Sequence, residues 1–139
     1  MSYAAGQALQ AAIYQHLRVD AALAAKVGDA IFDAMPAQPP SGVHVALGPE
    51  IMRDASDASA GGAVHEFEIA VLEGVEAGGG FAAVKEAAAA VSEALEGAAL
   101  VPERGHLVGI WLLRTRARRV ENGGARRVDL TFRARIDLG

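Results

Sequence analysis

Residues 107–138 read LVGIWLLRTRARRVENGGARRVDLTFRARIDL. From Val128 onward the apolar side chains take every second position, at Val128, Leu130, Phe132, Ala134, Ile136 and Leu138, with Asp129, Thr131, Arg133, Arg135 and Asp137 between them. Successive side chains of a strand point to opposite faces, so this is a strand with one apolar and one polar face. Leu107–Leu113 is almost wholly apolar, and Arg114, Arg116 and Arg118 then follow at alternate positions, which predicts a second strand running past the core. Trp111 and Phe132 read as core-facing. Glu121-Asn122-Gly123-Gly124 supplies turn residues, so the two strands pair as a long antiparallel hairpin.

The rest of the chain supplies the surfaces on which this hairpin packs. Phe81, Val84, Ala88, Val91 and Leu95 form a stripe at helical spacing that comes after Gly78-Gly79-Gly80 and stops at Gly97. Before it, Phe67, Ile69 and Val71 alternate with Glu66 and Glu68, a strand starting near Val64. Residues 52–62 are small, polar and aperiodic, and predict a mobile loop carrying Arg53, Asp54, Ser56 and Asp57. Val43–Leu47 reads as a strand after the interruption by Pro36, Pro39 and Pro40, and Ala30–Met35 as a short extended piece. Leu9, Ile13 and Leu17 mark a one-faced helix over residues 4–18. Asp20 then caps a second helix, Ala21–Val27, closed by Gly28. The order predicts one α+β domain over residues 1–139, a mixed, mainly antiparallel sheet with helices packed on one face.

Composition narrows the function classes. The chain has 139 residues, enough for one core, with only seven aromatics (one Trp, two Tyr, four Phe) and no cysteine. Disulfides, thiol nucleophiles and thiolate metal sites are thereby excluded. No run reaches the eighteen apolar residues of a membrane span, and no signal-peptide pattern opens the chain; synthesis in the bacterial cytoplasm is expected. The net charge of −4 is uneven: residues 1–113 carry 14 acids and 5 bases (−9), residues 114–139 carry 3 acids and 8 bases (+5). A chain so polarised attracts an oppositely charged neighbour, or another copy of itself, within about 8–10 Å at ordinary salt.

Catalysis needs nucleophile, base and stabiliser within reach, and no such set is legible. None of Ser2, Ser41, Ser56, Ser59 and Ser92 lies in a nucleophile elbow. His16, His44, His65 and His106 are scattered and read as partly exposed structural residues, without zinc-site spacing. His65 falls on the strand face opposite Glu66 and Glu68, which argues against a metal there. The glycine run before Phe81 lacks the Lys and Ser or Thr of a phosphate loop and reads as a flexible connection. No catalytic, metal or cofactor site is expected; Glu66, Glu68 and Asp54 are the least poor carboxylate set.

Arg114, Arg116, Arg118, Arg119, Arg126, Arg127, Arg133 and Arg135 make 8 of the 13 basic residues. Guanidinium forks suit carboxylates and phosphates, so three readings compete: a solvated β-face, a protein interface and a DNA-binding hairpin. Asp129 and Asp137 on the same face as Arg133 and Arg135 predict part of the charge to be matched within the fold.

The helix Ala8-Leu9-Gln10-Ala11-Ala12-Ile13-Tyr14, the stretch Asp20–Asp33 and the strand His65-Glu66-Phe67-Glu68-Ile69 resemble the phage tail-completion family known as the DUF3168 domain, and within it the tail terminators of alphaproteobacterial gene transfer agents. The resemblance runs over nearly the whole chain. It departs at Ala55, where family members often carry an aromatic near Asp54, and at Leu72-Glu73, where they often carry a Trp. It implies a non-enzymatic subunit of a hexameric ring, assembled into the tail of a phage-like virion. Such a ring caps the tail tube protein and meets the stopper protein of the head connector, with DNA crossing its channel without sequence-specific binding. On that reading the eight arginines form a subunit or tube interface, and Arg53, Asp54, Ser56 and Asp57 lie toward the channel or the next ring. The rival is a small DNA-binding module using the arginine hairpin.

Overall fold

The computed structural model describes residues 2–57, 61–74, 80–120 and 125–139. Its elements are α1 (Gly6–Arg18), α2 (Ala21–Val27), β1 (Ile31–Phe32), β2 (His44–Asp54), β3 (Gly62–Glu73), α3 (Ala82–Leu95), β4 (His106–Arg119) and β5 (Arg126–Asp137). The five strands form one sheet in the order β1-β2-β3-β5-β4. Only β1 and β2 run parallel; the other neighbours are antiparallel. This is the α+β class that the alternation and helical stripes predict.

Local chemistry sets the start of α2 and the ends of α2 and α3. The Asp20 carboxylate accepts from the Leu23 amide at 2.9 Å, satisfying one of the orphan donors of α2. Gly28 and Gly97, at φ of +63° and +68°, turn the chain after α2 and α3 in a conformation a Cβ disfavours. Leu9, Ile13 and Leu17 of α1 are buried one above the other. His16 Nε2 donates to the Ala94 carbonyl at 2.8 Å, tying α1 to α3.

The core lies between the helices and one face of the sheet. Val71 and Val128, Ile69 and Leu130, and Phe67 and Phe132 are register partners. All six are buried with Leu9, Ile13, Val84, Val91 and Leu95. The Phe67 and Phe132 rings stack with centroids 5.6 Å apart. Each fully buried large side chain here contributes about 1.5–3 kcal/mol.

Three features differ from the sequence expectation. The strand expected at Val43–Leu47 runs on to Asp54, because Arg53 and Asp54 pair with Val64 and Ala63, so Arg53 and Asp54 are strand residues. A register shift between Leu47 and Glu50 carries the strand through Gly48 and Pro49. Of the expected loop, 55–57 and 61 connect β2 to β3, and 58–60, including Ser59, lie outside the described residues, as do Gly78, Gly79 and the turn Glu121–Gly124. Trp111 is not core-facing: it partners Arg133 on the far side of the sheet and is 42 % exposed. Finally, His44 and His65 are buried rather than partly exposed, His65 in the inward row of Phe67, Ile69 and Val71.

Candidate interaction surface

Register partners share a face, so the strand pairing shows which arginines stand together. Arg114, Arg116, Arg118, Arg127, Arg133 and Arg135 lie on the face away from the helices, and Arg119 and Arg126, partners of each other, lie on the helix side beyond Val128. The cluster is thus divided between two faces.

On the outer face, acids at shared positions take two arginines each. Asp129, nearly buried, accepts from Arg127 Nε at 2.7 Å and Arg118 Nε at 3.3 Å. Glu66 Oε1 accepts from Arg133 at 3.1 Å and Arg53 at 3.3 Å, which brings a residue of the expected loop set onto the hairpin's ladder. Arg135 donates to the Ala55 carbonyl at 3.0 Å and pairs with Asp137 at 3.3 Å. Arg114 and Arg116, both exposed, have no ion pair among the described residues. The sequence thus anticipates matching at Asp129 and Asp137, and the structure adds Glu66 as a third bridge.

On the helix side Arg126 is 3 % exposed and bonds Glu73 at 2.9 Å. The Arg119 guanidinium and the Lys85 ammonium each lie 5.7 Å from the centre of the Phe81 ring. At the mouth of the β2–β3 connection, the Ser56 hydroxyl donates to Asp54 Oδ1 at 2.7 Å, and the Gly62 amide donates to Ser56 Oγ at 3.2 Å. The Ser56 bond holds the Asp54 carboxyl below its usual range. Asp57 is exposed beside them.

Sequence reading does not single out two features. The Tyr3 hydroxyl donates to Glu50 and His65 Nδ1 donates to the other oxygen of the same carboxylate at 3.0 Å, pinning the N-terminal segment to β2. Only the inward parity of His65 hints at this. The second is a set of exposed apolar side chains on β4, Val108, Trp111 and Leu113. Register shifts at Leu107/Gly109 and Leu112/Arg114 turn them outward. The Trp111 indole lies back on Gly109, where a Cβ would come 2.6 Å from its Cζ2.

The outer face is therefore a charged sheet surface, mostly matched, on which Arg114 and Arg116 of the edge strand have no ion pair among the described residues. No cluster of three or more metal-ligating side chains occurs among the described residues, and no described helix is long and apolar enough to cross a membrane. Such an arrangement can bind acidic surface.

The family described as Tail completion protein gp17 matches residues 11–137. Among solved structures, a chain from the "Virion of native gene transfer agent (GTA) particle" is 57 % identical, with a TM-score of 0.88 over 98 % of this chain and 99 % of that one. No curated protein matches.

Proposed function

Because the chain belongs to the tail completion protein family and so has a structural role in a tail, we propose that it is the tail terminator of a phage-like, gene transfer agent type particle. On this reading it has no enzymatic activity. Copies form a ring, six to a turn, that seats on the last ring of tail tube protein, stops tube growth, and offers its other side to the stopper protein of the head connector. DNA crosses the channel and is held by no base-specific contact.

One observation carries the proposal: the 57 % identical chain that belongs to a gene transfer agent virion and matches this one almost end to end. At that identity and coverage the sheet, its edges and its helices are shared, so the surfaces that assemble one chain are available to the other. A sheet with a charged outer face and a long edge strand is consistent with a part that works by contact. The arginine pairing agrees: with Asp129, Glu66, Asp137 and Glu73 occupying most guanidinium groups, few remain to neutralise phosphates.

Deleting the gene in a particle-producing host tests the reading. Electron micrographs should show heads separated from tails, with tails of uncontrolled length. Joined particles of normal length would overturn it. Light scattering should give the assembled form a mass near six times 14.3 kDa. A DNA-binding module would instead bind duplex DNA with an affinity falling steeply as salt rises, a slope set by the phosphates neutralised.

A further inference from the structure

The last strand of the sheet, β4, has an outer edge whose two halves differ. Near the middle it is closed: the Gly97 amide donates to the Ile110 carbonyl at 3.0 Å, and the Leu112 amide donates to the Glu96 carboxylate. Past the shift at Leu112/Arg114 no described residue caps the edge, and Leu113, Arg114, Thr115, Arg116 and Ala117 are exposed whichever face they point to. An open strand edge is a template for further pairing unless something covers it. Beneath it, α3 and β4 leave a groove of about 290 Å³ whose walls include Lys85, Ala88, Thr115 and Ala117 and whose floor is Val128 and Leu130.

The opposite end of the sheet has the complementary character. There β1 is two residues long and covers only Val45 and Ala46 of β2. It is flanked by Asp29 and Asp33, both exposed and without an ion pair among the described residues. Arg114 and Arg116 at one edge and Asp29 and Asp33 at the other are thus unmatched charges of opposite sign. Three strands lie between β1 and β4, so the two edges are four spacings, roughly 19 Å, apart and cannot satisfy each other within one chain.

We propose that the open half of β4, with Arg114 and Arg116, docks on the Asp29–Asp33 edge of the next copy of this chain. The contact is heterologous, each copy giving a different edge, which is the kind that closes into a ring when the rotation per copy allows. The inference rests on the ring reading and assigns its subunit contact. The tube protein and DNA are then not what holds Arg114 and Arg116.

Charge exchange tests it. Three variants are compared with the wild-type chain: R114E/R116E, D29R/D33R, and all four changes together. Association is read as molar mass against concentration, and, in a particle-producing host, as the amount of the chain in purified particles. Circular dichroism melts confirm folding, which exposed positions should leave unchanged. Each one-sided variant should associate at least about tenfold more weakly, and the fourfold variant should recover wild-type assembly. One-sided variants that assemble normally would overturn this contact while leaving a ring built on another. A loss that the fourfold variant does not restore would equally overturn it, since the arginines would then serve another partner. If the wild-type chain neither associates nor enters particles, the ring reading itself fails and the contact falls with it.

Discussion

The two faces of the sheet hold the same kinds of charged residue in very different surroundings. On the helix side Arg126 and Glu73 are enclosed, and their bond stands at the end of the apolar rows that run through Phe67 and Phe132. On the outer side Glu66 is shared by Arg53 and Arg133, whose side chains are about half exposed. Water competes for the second set and hardly for the first, so equal geometry does not mean equal contribution. The comparison teaches that the arginine content of residues 114–139 divides into a fixed part that belongs to the fold and an accessible part that is free to meet partners.

Removing the core aromatic sharpens the contrast most. Phe132→Ala, at a fully buried position stacked on Phe67, should cost about 3–5 kcal/mol in urea unfolding. Glu73→Ala comes next, with a loss of about 3 kcal/mol by the same measurement, because Arg126 keeps its charge in an enclosed site. A cost below about 1 kcal/mol would place this pair with the outer ladder and erase the distinction.

Those two positions also show what the sequence can and cannot reveal. The inward row of β5 is readable because period-two alternation is unbroken from Val128 to Leu138, and parity alone places Arg126 on the helix side. Trp111 is misread because one extra residue at a register shift, such as those at Leu107/Gly109 and Leu112/Arg114, changes which face its neighbours take, and an apolar run such as Leu107–Leu113 contains no mark of it. The length of β2 is underread for a related reason: Gly48 and Pro49 resemble a strand end, yet the irregularity there lets pairing resume at Glu50 and reach Asp54. The arginines are visible as a cluster, whereas their division depends on which acids lie across the strands, and Glu66 is 67 residues from Arg133 in sequence.

Smaller effects belong to the outer face. Glu66→Gln should lower stability by only about 0.5–1 kcal/mol, and added salt should shrink the difference further. A loss as large as that of Glu73→Ala would mean that the outer ladder is part of the fold's foundation. The smallest effect should come from Tyr3. Its bond to Glu50 raises the phenol above its ordinary value of 10.0, so the stabilisation is complete below pH 10 and disappears as pH rises through the folded value. Tyr3→Phe should therefore lower the thermal midpoint slightly and evenly below pH 10, flatten the profile above it, and converge with the wild-type chain there.

The indole that lies against Gly109 is the only one in the chain, and it stands on the outer face in register with Arg133. The molecule thus carries a native optical probe on the side that is free of helices. Its emission reports the polarity around a single known ring, so anything that covers this part of the outer face shifts the spectrum to the blue, and anything that unfolds the hairpin shifts it to the red. Binding, assembly and unfolding can each be followed on the unlabelled chain from that one residue.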